Sequence, residues 1–312
     1  MADIVVVGSL NMDLVVKVAQ MPVPGQTVAG GDLQTICGGK GANQAAAAAK
    51  LGSQVAMVGR VGEDAFGRRL VDNLLEFGVD VGHLRQDAGS VTGTAVIVVE
   101  ESGENSIVIS AGANGRVGAQ DVLDAEDLIR QARLVLLQFE VPVETVEQVI
   151  HLSAKHGVQV ILNPAPAHSL SPEILSKVEF LVPNESEARI LTGIQVSDLP
   201  SAERAARELL SAGVRVVILT LGEKGALLAT TQETIHIPAW PVKAVDTTAA
   251  GDAFIGGLAS ALLKDYSLKD AVCFANCAGA LAATRFGAQT SLPGGEEVQA
   301  CFDEMKASYN VR

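Results

Sequence analysis

Apolar and polar positions alternate along this chain in two rhythms. Ile4-Val5-Val6-Val7 is an unbroken apolar run closed by Gly8, the pattern of a strand buried on both faces. The stretches 55–58, 134–137, 159–162, 180–182 and 215–219 also read as strands, the third and last each opening on a polar residue. Helical stretches fall between them. An alanine-rich segment at 42–51 follows the turn Gly38-Gly39-Lys40-Gly41 and stops at Gly52; the next, at 64–77, stops at Gly78. Others occupy 143–156, 185–191 and 202–211, and the C-terminal part is helical over 250–263, 268–284 and 296–307. Two β-rich pieces break this order. One is a hairpin of 93–100 and 105–110 around the turn Glu101-Ser102-Gly103-Glu104; the other covers 226–237.

Strand–helix alternation predicts an α/β fold with a mostly parallel sheet covered by helices on both faces, and the hairpin predicts a small sheet projecting from it. Ligands of such sheets bind beyond the carboxyl ends of the strands, often at helix N-termini. Polar clusters directly after strands are therefore the candidates for chemistry.

Composition narrows the classes. Hydrophobic residues make up 48% and charged residues 19% of the 312, which supplies a sizeable core and excludes wholesale disorder. The length fits two domains or one large α/β domain with an insert. Thirty-six acidic against 23 basic side chains give a charge of −13, which argues against broad nucleic-acid binding. An anionic small molecule held by local donors stays possible. The four cysteines form no C-x-x-C pair and read as free thiols of a reducing compartment. Cys273 and Cys277, four apart, are read as core packing. No stretch has the length and apolarity of a membrane span, and Asp3 without a basic flank speaks against a secretory signal, so a cytoplasmic protein is expected.

The sharpest cluster is Asp246-Thr247-Thr248-Ala249-Ala250-Gly251-Asp252, leading into a helix. Small residues let a ligand approach backbone N–H groups at a helix N-terminus, where the dipole favours anions. Asp252 is placed either to accept a proton from a hydroxyl attacking phosphorus or simply to cap the helix. The second cluster is Gly38-Gly39-Lys40-Gly41-Ala42-Asn43. It fails the G-x-x-x-x-G-K-[ST] phosphate loop, because Gln34 and Gly41 stand at the wrong places, and Gly8 does not begin a G-x-G-x-x-G dinucleotide fingerprint. What remains is a tight turn, or a turn bringing backbone and Asn43 to a small polar ligand. Asn11-x-Asp13 suits a vicinal diol or forms an Asx turn. Glu187, in Asn184-Glu185-Ser186-Glu187, either orders water around Mg²⁺ or offsets a helix dipole. Glu140 is either a ligand contact or a solvated strand end.

Together these clusters resemble the ribokinase-like (PfkB) family of carbohydrate kinases, from Val5 through Asp13 to Gly287-Ala288-Gln289-Thr290-Ser291-Leu292-Pro293. The family's signatures match 38–43 and 246–254; Ala249 stands where the second often has Gly. The resemblance implies a ribokinase-like three-layer α/β fold, one catalytic domain over 1–312, and a small β-sheet lid from segments near 11–36 and 93–110. It implies phosphorylation of D-ribose by ATP, with Asp252 as base and an anion hole at 249–252. Asn11, Asp13, Gly39, Lys40, Asn43, Glu140 and Asp252 become the sugar site. Asn184, Glu187, Thr220, Gly222, Gly225, Gly251 and Asn276 become the nucleotide site, with Mg²⁺ near Glu187. Asp246, Thr248, Ala282, Arg285, Gly287 and Ser291 become a site for a monovalent cation, K⁺, with Arg285 serving only through its carbonyl. A homodimer clasped through the lids is also implied, and the apolar faces of the hairpin agree with one. Other sugars or nucleosides, namely deoxyribose, fructose and adenosine, are the alternatives within the family. A non-catalytic sensor is disfavoured by the intact Asp252.

Overall fold

The computed structural model describes residues 2–102 and 104–310; Gly103, in the turn expected of the hairpin, lies outside the described residues. β1 (Ile4–Val7) is fully buried because strands flank it on both sides and helices cover both of its faces. The chain then forms β2 (Asn11–Val18), β3 (Gln34–Gly38), α1 (Lys40–Lys50), β4 (Val55–Gly62), α2 (Ala65–Glu76), β5 (Asp80–Asp87), β6 (Gly93–Glu100) and β7 (Asn105–Ser110). α3 (Ala119–Asp124), α4 (Glu126–Gln131), β8 (Leu134–Leu137), α5 (Val143–His156), β9 (Gln159–Leu162), α6 (Pro172–Leu175), β10 (Phe180–Leu181) and α7 (Glu185–Thr192) follow. The last elements are α8 (Leu199–Ser211), β11 (Val216–Thr220), β12 (Ala226–Ala229), β13 (Thr234–Ile237), α9 (Ala250–Leu263), α10 (Leu268–Ala282) and α11 (Gly295–Asn310).

The main sheet runs β13-β12-β11-β10-β9-β8-β1-β4-β5 and is parallel except where β12 and β13 return antiparallel. Alternate residues of each strand feed two cores. Ile4, Val6, Leu134, Leu136 and Ile218 pack with the apolar faces of α1, α9 and α10; Val5, Val7, Val135, Leu137 and Val217 pack with those of α5 and α8. The result is the expected three-layer α/β arrangement. Helix ends follow local chemistry. Asp64 caps α2 by accepting from the Gly67 N–H at 2.8 Å, and Gly157, left-handed at φ 71°, ends α5.

A separate sheet has the order β3-β2-β6-β7. It is built from two excursions of the chain, one between β1 and α1 and one between β5 and the helical turn Gly112–Arg116. The hairpin is present, with Thr94 opposite Ser110. Asn11 and Asp13 stand inside β2, paired with Gly38 and Ile36, and not in an Asx turn. α1 opens at Lys40, two residues before the stretch read as helical.

Candidate active site

Asp252 is the third residue of α9 and does not cap it. The N-cap is Ala249, left-handed at φ 58°, and it makes no side-chain cap bond. The Asp252 carboxylate points instead at α1. Its Oδ2 accepts from Asn43 Nδ2 at 2.9 Å and its Oδ1 from Gln44 Nε2 at 3.0 Å. Beside it opens a cleft of about 230 Å³, lined among others by Lys40, Asn184, Glu187, Thr220 and Gly251. First-turn N–H groups of a helix have no carbonyl four residues back, and Ala249, Gly251 and Asp252 at the start of α9 line this cleft. Nothing lies within 4 Å of where a Gly251 side chain would begin, so the fold itself does not demand glycine there.

The Gly-rich turn puts α1 and β2 in contact. Gly39 has φ 90°, and a Cβ would sit 2.6 Å from the Asn11 nitrogen. Glu140 is no solvated strand end: its Oε2 accepts from Ser9 Oγ at 2.5 Å, from the Lys40 N–H at 3.1 Å and from Asn11 Nδ2 at 3.4 Å. Asn43 is buried, and its Oδ1 has no hydrogen-bond partner. The charges of Asp252, Glu140 and Glu187 thus act on the ammonium of Lys40, while Asp13 feels those of Glu140 and Asp252.

Electrostatics follow from that imbalance. Burial, then the charges of Glu140 and Asp252, push the Asp13 carboxyl up to about 7. Burial also raises Asp252, against the opposing pull of Lys40, Asn43 and Gln44. Burial raises Glu187. Burial works against the charged form of Lys40, but Asp252, Glu140 and Glu187 outweigh it and hold the ammonium above its usual value.

Asn184 and Glu187 form a capping box on α7. Asn184 accepts from the Glu187 N–H at 2.8 Å, while the Glu187 oxygens accept from the Asn184 N–H and Nδ2, each at 2.9 Å. This fixes the carboxylate where it lines the cleft. Thr220, at the end of β11, ties to Pro183 and lines the same cleft. Gly222 and Gly225 shape the turn after it, outside the lining residues; a Cβ on Gly225 would come within 2.1 Å of the Ile237 carbonyl. Asn276 also stands outside the lining, with Nδ2 donating to the carbonyls of Ile237 and Pro238 at 3.1 and 3.2 Å.

Asp246 joins two loops. Its oxygens accept from the N–H groups of Thr248 and Gly287, both at 2.9 Å. Burial acts to raise this carboxyl, but hydrogen bonding from the Thr248 side chain, then from the Gly287 and Thr248 N–H groups, outweighs it and holds it low. The Ala282 carbonyl accepts from the Arg285 N–H, the Arg285 guanidinium pairs with Glu297, and Ser291 is buried with its hydroxyl on the Ala288 carbonyl.

Four further residues belong to this network. Gln44 holds Asp252; Gln138 Nε2 donates to Gln44 Oε1 at 2.6 Å; Asn163 Oδ1 accepts from Gln44 at 3.3 Å; Ser9 holds Glu140. Gln138 and Asn163 are the first residues after the apolar strands β8 and β9, where polar side chains signal a site.

The family model of pfkB family carbohydrate kinases matches residues 1–294. The chain belongs to this family. The match takes in both sheets and α9 with Asp252. A curated ribokinase of Haemophilus influenzae is 42% identical over 292 residues, covering 94% of this chain and 95% of the relative. A deoxyribokinase of Salmonella typhi is 41% identical over 300 residues, covering 95% and 97%. Among solved structures, Arabidopsis thaliana ribokinase complexed with ribose and ATP superposes with a TM-score of 0.91 at 35% identity, covering 96% of this chain and 98% of that one.

Proposed function

We propose that this protein transfers the terminal phosphoryl group of ATP to O5 of D-ribose, giving ribose 5-phosphate and ADP. The observation that carries the reading is the Asp252 carboxylate, buried and oriented by two amide donors, beside the open backbone of Gly251 at a helix N-terminus. The ribokinases at 42% and 35% identity, one complexed with ribose and ATP, support this substrate pair.

Asp252 accepts the proton of the attacking hydroxyl. The N–H groups of 249–252 offset charge on the transferred group. Asn11, Asp13, Gly39, Lys40, Asn43 and Glu140 hold the sugar; its hydroxyls supply the donor that Asn43 Oδ1 lacks. Asn184, Thr220, Gly222, Gly225, Gly251 and Asn276 hold the nucleotide. Mg²⁺ suits a cleft where carboxylates outnumber the one ammonium, and an ion bound mainly by phosphates and water needs few protein ligands. Glu187 is the residue to face it, and the ion supplies charge neutralisation on the phosphates.

A monovalent cation, K⁺, suits the oxygen-rich junction that Asp246 makes with Thr248 and Gly287. Ala282, Arg285 and Ser291 complete that set, Arg285 through its carbonyl, since its guanidinium is engaged by Glu297. Such an ion supplies fixed positive charge next to the anion-binding turn. The second sheet serves as the lid of a single catalytic domain. Its edge strand β7 exposes Ile107, Val108 and Ile109, which supports a homodimer formed through the lids. Four buried free cysteines fit a reducing, cytoplasmic location.

The deoxyribokinase relative at 41% identity makes 2-deoxyribose the competing substrate. The deciding experiment is ADP release with ribose, 2-deoxyribose, fructose and adenosine, each in K⁺ or Na⁺ salts at matched ionic strength. Ribose with the highest kcat/KM, and faster turnover in K⁺, is expected. A higher kcat/KM for another acceptor overturns the substrate, and equal rates in both salts overturn the cation.

A further inference from the structure

Asn114 lies in the helical turn Gly112–Arg116, where the chain leaves the second sheet, and is 1% exposed. Its Oδ1 accepts from the Leu10 N–H at 2.9 Å, and its Nδ2 donates to the Leu10 carbonyl at 3.0 Å and to Asn11 Oδ1 at 2.8 Å. The side-chain amide therefore acts as a strand partner one residue long, at the point where β1 has ended and β2 begins. Only one orientation of Asn114 satisfies all three bonds. That orientation fixes Asn11 as well. With Oδ1 toward Asn114, the Asn11 amide nitrogen faces Glu140. A flipped Asn11 would set two NH₂ groups against each other and aim an oxygen at a carboxylate.

The junction is closed around these two side chains. Asn11 pairs with Gly38 on one side and Gly93 on the other, forming the base row of the second sheet. A Cβ on Gly93 would fall 2.2 Å from Asn114 Nδ2 and 2.4 Å from Asn11 Oδ1, so no side chain fits there. The entrance of the first excursion and the exit of the second are thus tied at one amide, 103 residues apart in sequence.

We infer that Asn114 is a positioning residue for sugar binding, acting through Asn11 by presenting its amide nitrogen to the sugar side while fastening the base of the lid. The inference rests on the reading of Asn11 as a ribose ligand. It is tested by steady-state kinetics of the wild type, Asn11→Ala, Asn114→Ala and the double variant. Asn114→Ala is expected to raise the KM for ribose about tenfold, the usual scale for a lost buried hydrogen bond, with the KM for ATP nearly unchanged. On the Asn11→Ala background it adds less than about twofold, because the two side chains act as one unit. Effects that multiply in the double variant, or equal rises in both KM values, overturn the inference. Should Asn114→Ala fail to fold, Asn114→Asp enters the same cycle with the same expectation; it keeps the acceptor for Leu10 and lacks the donor toward Asn11. A wild type inactive on ribose refutes the proposed function and the inference with it. Activity on ribose with an unchanged ribose KM in Asn11→Ala refutes the role of Asn11 and its positioning, and leaves the function standing.

Discussion

Gln44 Nε2 donates to Asp252 Oδ1 at 3.0 Å, and Gln44 is itself oriented by Gln138. A donor on a carboxylate favours its charged form. Gln44→Leu removes that donor, so Asp252 holds its proton to higher pH. The acid limb of the kcat/KM profile is therefore expected to move upward, with a larger loss at pH 6 than at pH 8. Gln44→Glu is expected to move it further, since a second carboxyl then faces Asp252, with Glu140 and Glu187 already near. An unmoved limb would show that Gln44 only fills space.

Asp252→Asn keeps the size and loses the proton acceptor. Turnover should fall by about 10² to 10⁴, the usual contribution of general base catalysis. Because the side chain does not cap α9, the helix should stay formed, and any fall in Tm should come from the new NH₂ facing the donor of Asn43 or Gln44. A variant keeping more than half its kcat with ribose saturating would remove the central chemical claim.

Gly251 separates folding from phosphate approach. A Cβ there would meet nothing within 4 Å, and replacing a helical glycine by alanine removes a conformational cost of roughly 0.5–1 kcal/mol. Gly251→Ala and Gly251→Val should therefore fold with unchanged or raised Tm. The valine should nevertheless lower kcat/KM for ATP by roughly 10² by displacing the reacting group. Full activity in Gly251→Val would mean that no phosphate comes near this turn.

Asp13 links pH to stability. Its folded value, about 7, lies above the ordinary 3.8. Its contribution is then present below the unfolded value and lost as pH rises through the folded one. Without sugar, the wild type should lose stability relative to Asp13→Asn between about pH 4 and pH 7, with a constant difference above that. Urea midpoints measured on both proteins across this range check it; parallel curves would contradict it.

The edge strand of the lid gives the assembly test. Ile107 and Ile109 are each 52% exposed and share one face of β7. Wild-type protein is expected to be dimeric at micromolar concentration in light scattering, and Ile107→Glu with Ile109→Glu monomeric. A monomeric wild type would defeat the clasp.

The central strands were legible because burial on both faces leaves an unbroken apolar run, as at Leu134–Leu137. β2 was not, because it begins with Asn11 and Asp13, whose polarity serves the site and imitates a turn. β5 was missed for a related reason: Asp80–Asp87 is an edge strand with largely polar, partly exposed positions. In the site, residues gathered in clusters could be read from their neighbours, as with Asn43 and Asp252. Gln138 and Asn163 stand alone after their strands, and Asn114 acquires meaning only through Leu10, 104 residues away. Asn276 and Gly225 were legible only through the family resemblance, since their contacts, to the Ile237 and Pro238 carbonyls and across a tight backbone approach to Ile237, join segments far apart in the chain.

The pairing of β2 with β6 carries a consequence for synthesis. Asn11 meets Gly93, so β2 waits for 82 further residues before its parallel neighbour exists. At the usual 5–20 residues per second, that is roughly 4 to 16 s on the ribosome. Until then only β3 protects it, and its other edge, with Leu14, Val15 and Val16, is open to any extended chain. A nascent chain stalled between these two excursions is the species in which chaperone binding to β2 should be strongest.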